Sequence, residues 1–158
     1  MAKRKITLFG IGPWLALIGA LYFSQAAIIT LDHLRFYNMV FVSRKVDENA
    51  GLLLFAAGFL VFLAAQAALI IGWFKERLLT TGLFRLCRHP MYAAWILIIL
   101  PGMGLMLHSW LILANVLVVF IAFKFLIRRE DRKLEEAFGP EYLAYRARTS
   151  ELLPWPRK

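Results

Sequence analysis

Long apolar runs separated by short polar segments are the main pattern of the sequence. The runs cover residues 8–31, 50–74, 91–107 and 110–127. A helix needs about 20 mostly apolar residues to cross the hydrocarbon core of a bilayer, within a range of roughly 17–25. The pattern therefore predicts an all-α integral membrane protein, with four transmembrane helices in a single domain over residues 1–158.

The last two runs are separated only by the residues "HS", which predicts a tight helical hairpin. Pro101 lies inside the third run and is followed by Gly102 and Gly104. Proline inside a helix favours a kink, and small residues let a neighbouring helix approach closely. The second run is preceded by Asp47 and Asn49, and we expect one of them to cap its helix.

The segment 128–158 is highly charged, yet it keeps large side chains at helical spacing. These side chains are Leu134, Phe138, Tyr142 and Tyr145. The pair Gly139-Pro140 is typical of one helix ending and another beginning. We therefore expect a cytoplasmic helical segment that folds over the mouth of the membrane bundle.

Composition and charge support a membrane protein. Hydrophobic residues make up 61% of the chain, against about 45–50% in soluble domains. The net charge of +9 would indicate nucleic-acid binding in a soluble protein, but Lys and Arg also concentrate in the cytoplasmic loops of membrane proteins. With the N-terminus inside, 16 of the 19 Lys and Arg residues lie on the cytoplasmic side. We predict a multi-pass protein with both termini in the cytoplasm, no nucleic-acid partner and no obligate protein partner.

The start and the single cysteine add two expectations. We interpret the basic "MAKRK" as a topology signal and the run that follows it as the first span, not as a cleaved signal peptide. Cys87 has no second cysteine with which to form an internal disulfide, and we expect no metal site.

The decapeptide "LFRLCRHPMY" joins the second run to the third. Pro90 suits the first turn of a helix, whose N-terminus carries a partial positive charge, and Arg88 and His89 add to that charge. Glu130 and Asp131 lie one turn beyond the fourth run. The predicted hairpin would bring these groups together as a small pocket with a cationic and an acidic wall. Taken singly, the arginines could act only to set the orientation in the membrane, and the acids could belong to a solvated surface.

Two ordered blocks, "TTGLFRLCRHPMY" (80–92) and "EDRKLEEAFGPEYLAYRARTSELLP" (130–154), resemble the isoprenylcysteine carboxyl methyltransferase family. Phospholipid N-methyltransferases are relatives of that family. The shared features are Thr-x-Gly-x-aromatic and Arg-His-Pro-x-Tyr, then an acidic pair, Phe-Gly, two tyrosines and a final proline. The resemblance covers roughly the C-terminal half, and the first half is similar only as membrane spans.

This resemblance implies a membrane methyltransferase that transfers a methyl group from S-adenosylmethionine to a lipophilic small-molecule acceptor from the bilayer. Membrane lipids are the other partners that it implies. It assigns no catalytic residue and no metal. Phe84 stands where the family has tyrosine, and Asp131 replaces the second of two glutamates. The residues that the resemblance assigns to the cofactor are Leu78, Leu79, Phe84, Arg88, His89, Pro90, Met91, Tyr92, Glu130 and Asp131.

The acceptor is left open by one departure from the family. The prenylcysteine enzymes carry an arginine four residues before the first acid, and Leu126 occupies that position here. Arg128 and Arg129 are the candidate substitutes for binding the substrate, and helix geometry makes Arg129 the nearer one. The possible acceptors are prenylcysteine-like carboxylates, lipids and other amphiphilic small molecules. Of these, we favour an acceptor other than prenylcysteine.

Two other functions fit parts of the sequence. Some sterol reductases share an Arg-His-Pro-type C-terminal pattern and use NADPH, although this short chain leaves few residues to hold a dinucleotide. A non-catalytic membrane scaffold or transporter subunit would fit the apolar runs, but it leaves the two motif blocks unexplained.

Overall fold

The structure, a computed structural model, describes residues 10–33 and 37–153. Within these ranges every long element is a helix, and extended pairing is limited to isolated bridges. The elements are α1 (Gly12–Asp32), α2 (Arg44–Phe74), α3 (Leu83–Leu86), α4 (Pro90–Met106), α5 (Trp110–Phe138) and α6 (Pro140–Arg148).

Three of these helices, α1, α2 and α5, are long and apolar enough to cross a membrane. The shorter α4 is also apolar. At about 1.5 Å per residue it is about 25 Å long, somewhat less than the hydrocarbon thickness of about 30 Å. The all-helical membrane architecture is confirmed in this form, while the fourth span and the orientation of the termini stay predictions.

Small residues bring α2 and α4 together. Gly51, Gly58, Ala65 and Gly72 recur every seven residues on α2 and are all buried. A Cβ atom on Gly51 would lie 2.7 Å from the backbone oxygen of Gly102. The close approach predicted at Gly102 is therefore confirmed, because no larger side chain fits between the two backbones.

The irregularity predicted near Pro101 takes the form of a π-helical turn over Trp95–Ile99, inside α4. The N–H of Leu100 bonds to the carbonyl of Trp95, five residues back. Proline lacks an N–H and crowds the preceding turn of a helix, and a locally widened turn relieves that conflict.

The second helix begins earlier than the sequence suggested. It starts at Arg44 and is capped by Ser43, whose Oγ accepts a hydrogen bond from the N–H of Val46 at 3.3 Å. The prediction of Asp47 or Asn49 as the cap was wrong. Asp47 lies in the first turn instead, and its carboxylate accepts a hydrogen bond from the N–H of Phe41 at 2.8 Å.

The α4–α5 hairpin is confirmed. Ser109 caps the start of α5 by accepting a hydrogen bond from the N–H of Ile112 at 3.2 Å. Helix α5 then runs without a break from the apolar run into the charged segment and ends at Gly139, whose φ of +54° favours glycine. Pro140 opens α6, as expected from the sequence.

One face of α5 packs against α1. Leu15, Val119 and Phe123 are completely buried in a core that also includes residues of α4. Asn115 donates a hydrogen bond from Nδ2 to the carbonyl of Gly19 at 3.2 Å. Some predictions concern residues 1–9, 34–36 and 154–158, which lie outside the described residues. They include the start of the first span and several of the Lys and Arg residues counted for the orientation.

Candidate functional site

A cavity opens between α2, the loop before α4, α5 and α6. It has about 100 Å³ of space open to water-sized molecules, enough for several waters. Its walls include nine of the ten residues that the sequence assigned to a cofactor: Leu78, Leu79, Phe84, Arg88, His89, Pro90, Met91, Tyr92 and Glu130. Two segments that are 38 residues apart, at Tyr92 and Glu130, thus face one space.

Glu130 is the centre of the polar wall. Its Oε2 accepts a hydrogen bond from the N–H of Ile11 at 3.0 Å and another from the hydroxyl of Tyr92 at 3.1 Å. The Nδ1 of His89 lies 3.7 Å from Oε1. The first helix, the loop before α4 and the charged part of α5 therefore all position one carboxylate.

Asp131, the tenth predicted residue, lies behind the cavity wall. Its Oδ1 is 3.2 Å from the Nε2 of His89 and also accepts a hydrogen bond from the hydroxyl of Tyr142. Burial, and next the bond to this carboxylate, raise the pKa of Tyr142 above its usual range. Asp131 therefore orients groups that face the cavity and does not line it.

Arg88 ties the loop to the C-terminal segment. Its Nη1 donates to the carbonyl of Thr149 at 2.6 Å, and its Nη2 lies 3.6 Å from Asp131 and 3.7 Å from Glu151. The backbone N–H of Arg88 also donates to the carbonyl of Ser150 at 2.8 Å. A buried guanidinium that is shared among these acceptors holds the chain after α6 against the loop before α4.

The remaining wall is apolar and aromatic. The hydroxyl of Tyr145 donates to the backbone carbonyl of Phe84 at 2.6 Å, which fixes the Tyr145 side chain against the loop that carries Phe84. Burial raises the pKa of Tyr145 and is also the main cause that raises the pKa of the nearby Cys87 thiol. Cys87 is therefore a poor nucleophile in the folded protein.

Several wall residues escaped the sequence analysis. The sequence predicts only that Tyr142 and Tyr145 belong to the helical segment after the fourth span; in the structure both pack in its core and also line the cavity. Gly10 was missed: its φ is +45°, and a Cβ atom there would lie 2.3 Å from Glu130 Oε2. The only signal in the sequence was the pair of glycines in "GIGP", which is too common to locate a site. Other wall residues that were not predicted are Trp73, Arg77, Lys133, Leu134 and Phe138.

The three residues considered for binding the acceptor, Leu126, Arg128 and Arg129, lie in different surroundings. Leu126 is half-buried and packs against the core of the bundle. Arg128 lines a second, polar groove on the other side of Asp131, and Arg129 is exposed outside both spaces. The assignment of these arginines to a substrate stays a prediction.

Comparison with known proteins supports the motif-based interpretation. Residues 46–141 match the model of the phospholipid methyltransferase family, which covers the first motif block and the start of the second but not Gly10 or Ile11. The cobalt-zinc-cadmium resistance protein CzcN of Cupriavidus metallidurans is 39% identical over 89 residues. That match covers 56% of this chain and 40% of that protein. No solved structure matches the chain with significant similarity.

The family match extends over more than half of the chain, and it contains nearly all the residues that build the cavity. The chain therefore belongs to the phospholipid methyltransferase family, which is related to the isoprenylcysteine carboxyl methyltransferases.

Proposed function

We propose that this protein is an S-adenosylmethionine-dependent methyltransferase of the membrane, and that the cavity around Glu130 is its cofactor site. The observation that carries the proposal is the convergence of the starts of α1 and α4 on the Glu130 carboxylate of α5, with hydrogen bonds of 3.0 and 3.1 Å and with His89 nearby. A carboxylate held this firmly at a cavity wall is suited to bind a cationic ligand.

The character of the walls fits the cofactor. S-adenosylmethionine carries a sulfonium, an ammonium and a carboxylate on one side and a flat, weakly polar adenine on the other. Glu130 suits the positive groups. Both Nη atoms of Arg88 already have acceptors, but its buried Nε has no partner among the described residues and is left for the carboxylate. The adenine fits the apolar and aromatic wall, which is made of Leu78, Leu79, Phe84, Met91 and Tyr145.

The bound cofactor supplies an electrophilic methyl group. The residues of this chain then have to align the acceptor with that group and exclude water. An anionic acceptor needs no general base, because its nucleophilic atom is already deprotonated. An amine acceptor has to lose a proton, and the His89 imidazole is the titratable group beside Glu130 that could hold it.

The acceptor is proposed to be a lipophilic molecule that enters from the bilayer. Leu126 stands where the prenylcysteine enzymes have a substrate arginine, which favours an acceptor without that carboxylate. The cavity is bounded by α2 through Ala65, Leu69 and Gly72, residues that precede the end of this span. An acceptor from the membrane would meet this apolar wall, while the charged wall lies at the helix ends.

The topology belongs to the same proposal. If α4 crosses the membrane with α1, α2 and α5, both termini lie on one side, and the distribution of Lys and Arg favours the cytoplasm. The cavity then opens where an aqueous cofactor and a membrane acceptor can both reach it.

Calorimetric titration of the purified full-length protein in detergent micelles with S-adenosylmethionine tests the proposal. We expect saturable binding that Glu130→Gln weakens about ten- to a hundredfold, because a charged partner is lost. Glu136→Gln is the matched control, since this residue is exposed on the same helix and outside the cavity. Absence of binding, or binding of NADPH in its place, would refute the proposal.

A further inference from the structure

A second groove lies on the opposite side of Asp131 from the cavity. It encloses about 350 Å³ of space open to water-sized molecules and is lined mainly by charged side chains. Four of them are cations, namely Lys124, Arg128 and Arg132 on α5 and Arg146 on α6. Arg128 is also a candidate for the family's substrate arginine, but neither the resemblance nor the cofactor site accounts for the cluster as a whole.

The acids in the groove already have partners. Glu151 Oε2 lies 2.5 Å from Lys124 Nζ, and Glu135 Oε2 lies 3.6 Å from Arg146 Nη1. Asp131 is bonded to Tyr142 and His89 and is close to Arg88.

These pairings leave the guanidinium groups of two arginines in the groove without an acidic partner. Among the described residues, Arg128 and Arg132 have no ion pair or hydrogen bond from their side chains. They are four residues apart, so they lie on one face of α5 about 6 Å apart along the axis. Two guanidinium side chains at this spacing suit an oxyanion with several acceptor oxygens.

The same helix face is apolar on its membrane side. Leu117 and Ile121 are 64% and 55% exposed, and they lie within about 40° of Arg128 around the helix axis. The apolar run of α5 ends at Ile127, so the arginines lie just beyond it. One face of α5 therefore offers an apolar stripe for an acyl chain, followed directly by a basic groove for its head group.

We propose that this groove binds the phosphate of an anionic membrane phospholipid, with Arg128 and Arg132 as the phosphate ligands and Leu117 and Ile121 along the acyl chain. A lipid is favoured over free phosphate because the apolar stripe leads into the groove. A head group without its own cation is favoured because the acids of the groove are already paired. The proposal rests on the groove and does not depend on methyltransferase activity.

Native mass spectrometry of the full-length protein in detergent tests this proposal without S-adenosylmethionine. Phosphatidylglycerol and phosphatidylcholine with the same acyl chains are compared. We expect phosphatidylglycerol to be retained at least about tenfold better, and Arg128→Gln/Arg132→Gln to reduce its retention about ten- to a hundredfold. Equal retention of the two lipids, or an unaffected double variant, would overturn the proposal.

The double variant Arg85→Gln/Arg148→Gln is the charge-matched control. Both residues are exposed cations that line neither the groove nor the cavity. We expect it to retain phosphatidylglycerol like the parent protein, and an equal loss would show that net charge alone attracts the lipid. Thermal unfolding checks the fold, and if Arg128→Gln/Arg132→Gln unfolds, Arg128→Gln alone must still show reduced retention.

Inorganic phosphate in large excess separates the two sources of the ligand. A lipid held by both its phosphate and its acyl chain stays bound in the parent protein. Complete displacement by inorganic phosphate would contradict a lipid site and identify the groove as a site for free phosphate.

Discussion

Substitution of Gly10 by alanine should weaken binding at the proposed cofactor site without altering any residue of the family motifs. A Cβ atom at this position would lie 2.3 Å from Oε2, 2.8 Å from Cδ and 3.2 Å from Oε1 of Glu130. The distances to Oε2 and Cδ are too short for non-bonded atoms, so the carboxylate has to move. When it moves, it gives up its bonds to the N–H of Ile11 and the hydroxyl of Tyr92.

The size of the effect follows from these contacts. Loss of a hydrogen bond to a charged group costs about 1.5–3 kcal/mol. If the displaced Glu130 no longer reaches the ligand, the affinity for S-adenosylmethionine falls about ten- to a hundredfold. The φ of +45° adds a separate cost of about 1–2 kcal/mol to the folded state, because alanine is disfavoured in the left-handed region.

Calorimetric titration and thermal unfolding of the purified variant separate the two effects. Gly12→Ala is the matched control, because among the described residues its Cβ would meet only the hydroxyl of Tyr92, at an ordinary 3.8 Å. We expect this control to bind S-adenosylmethionine like the parent protein. Parent-like affinity in Gly10→Ala would show that the first helix does not position Glu130.

A double-mutant cycle with Glu130→Asp identifies the mechanism. Aspartate withdraws the carboxylate by one methylene, so an added Cβ at Gly10 has less to displace. Gly10→Ala should therefore cost less affinity in the Glu130→Asp background, with a coupling of about 0.5–3 kcal/mol. Additive losses would mean that Gly10→Ala acts on the fold in general and not through this carboxylate.

Four further predictions follow from other parts of the structure. Tyr142→Phe removes a donor to Asp131 and should lower the free energy of unfolding by about 1–3 kcal/mol in thermal or chemical denaturation. Because the folded protein raises the pKa of Tyr142, its contribution to stability is complete below pH 10.0, the ordinary tyrosine value, and declines above it; the same variant should flatten that decline. Gly51→Val would press against backbone atoms 2.7 Å away and should destabilise the fold by about 1–3 kcal/mol or more. Single cysteines at Val42 and Glu141, introduced into a Cys87→Ser background, should be labelled from opposite sides of the membrane; labelling from one side would defeat the four-span topology.

Much of the fold could be predicted because each helix of a membrane protein is marked by a local run of apolar residues. The apolar runs gave the helices, "HS" gave the hairpin, and Gly139-Pro140 gave the break between α5 and α6. The start of α2 was placed six residues too late, because the segment 44–49 is polar and reads as a loop. Its helical state depends on the cap from Ser43 and on the bond between Asp47 and the N–H of Phe41.

The candidate site could be predicted only where a motif marks it. The two motif blocks are distinctive enough to carry the family resemblance, and the resemblance led to nine residues of the cavity wall. Gly10 and the N–H of Ile11 carry no distinctive side chain. Their role arises from the packing of α1 against α5, which brings residue 11 within 3.0 Å of residue 130, and no local pattern encodes that contact.

The location of the cavity follows from the cost of burying charge. Charged groups are expensive in the hydrocarbon core, so a cluster that contains Arg88, His89, Glu130 and Asp131 has to lie near the ends of spans. Pro90 begins α4 at that level, and α5 passes the end of its apolar run only three residues before Glu130. The glycines of α2 and α4 let the helices approach closely behind the cavity, while the C-terminal segment, fixed by Arg88, closes it from the other side. The proposed function, transfer of a methyl group from a water-borne donor to a lipid-borne acceptor, requires such a junction, with charge at the aqueous end and an apolar wall toward the bilayer.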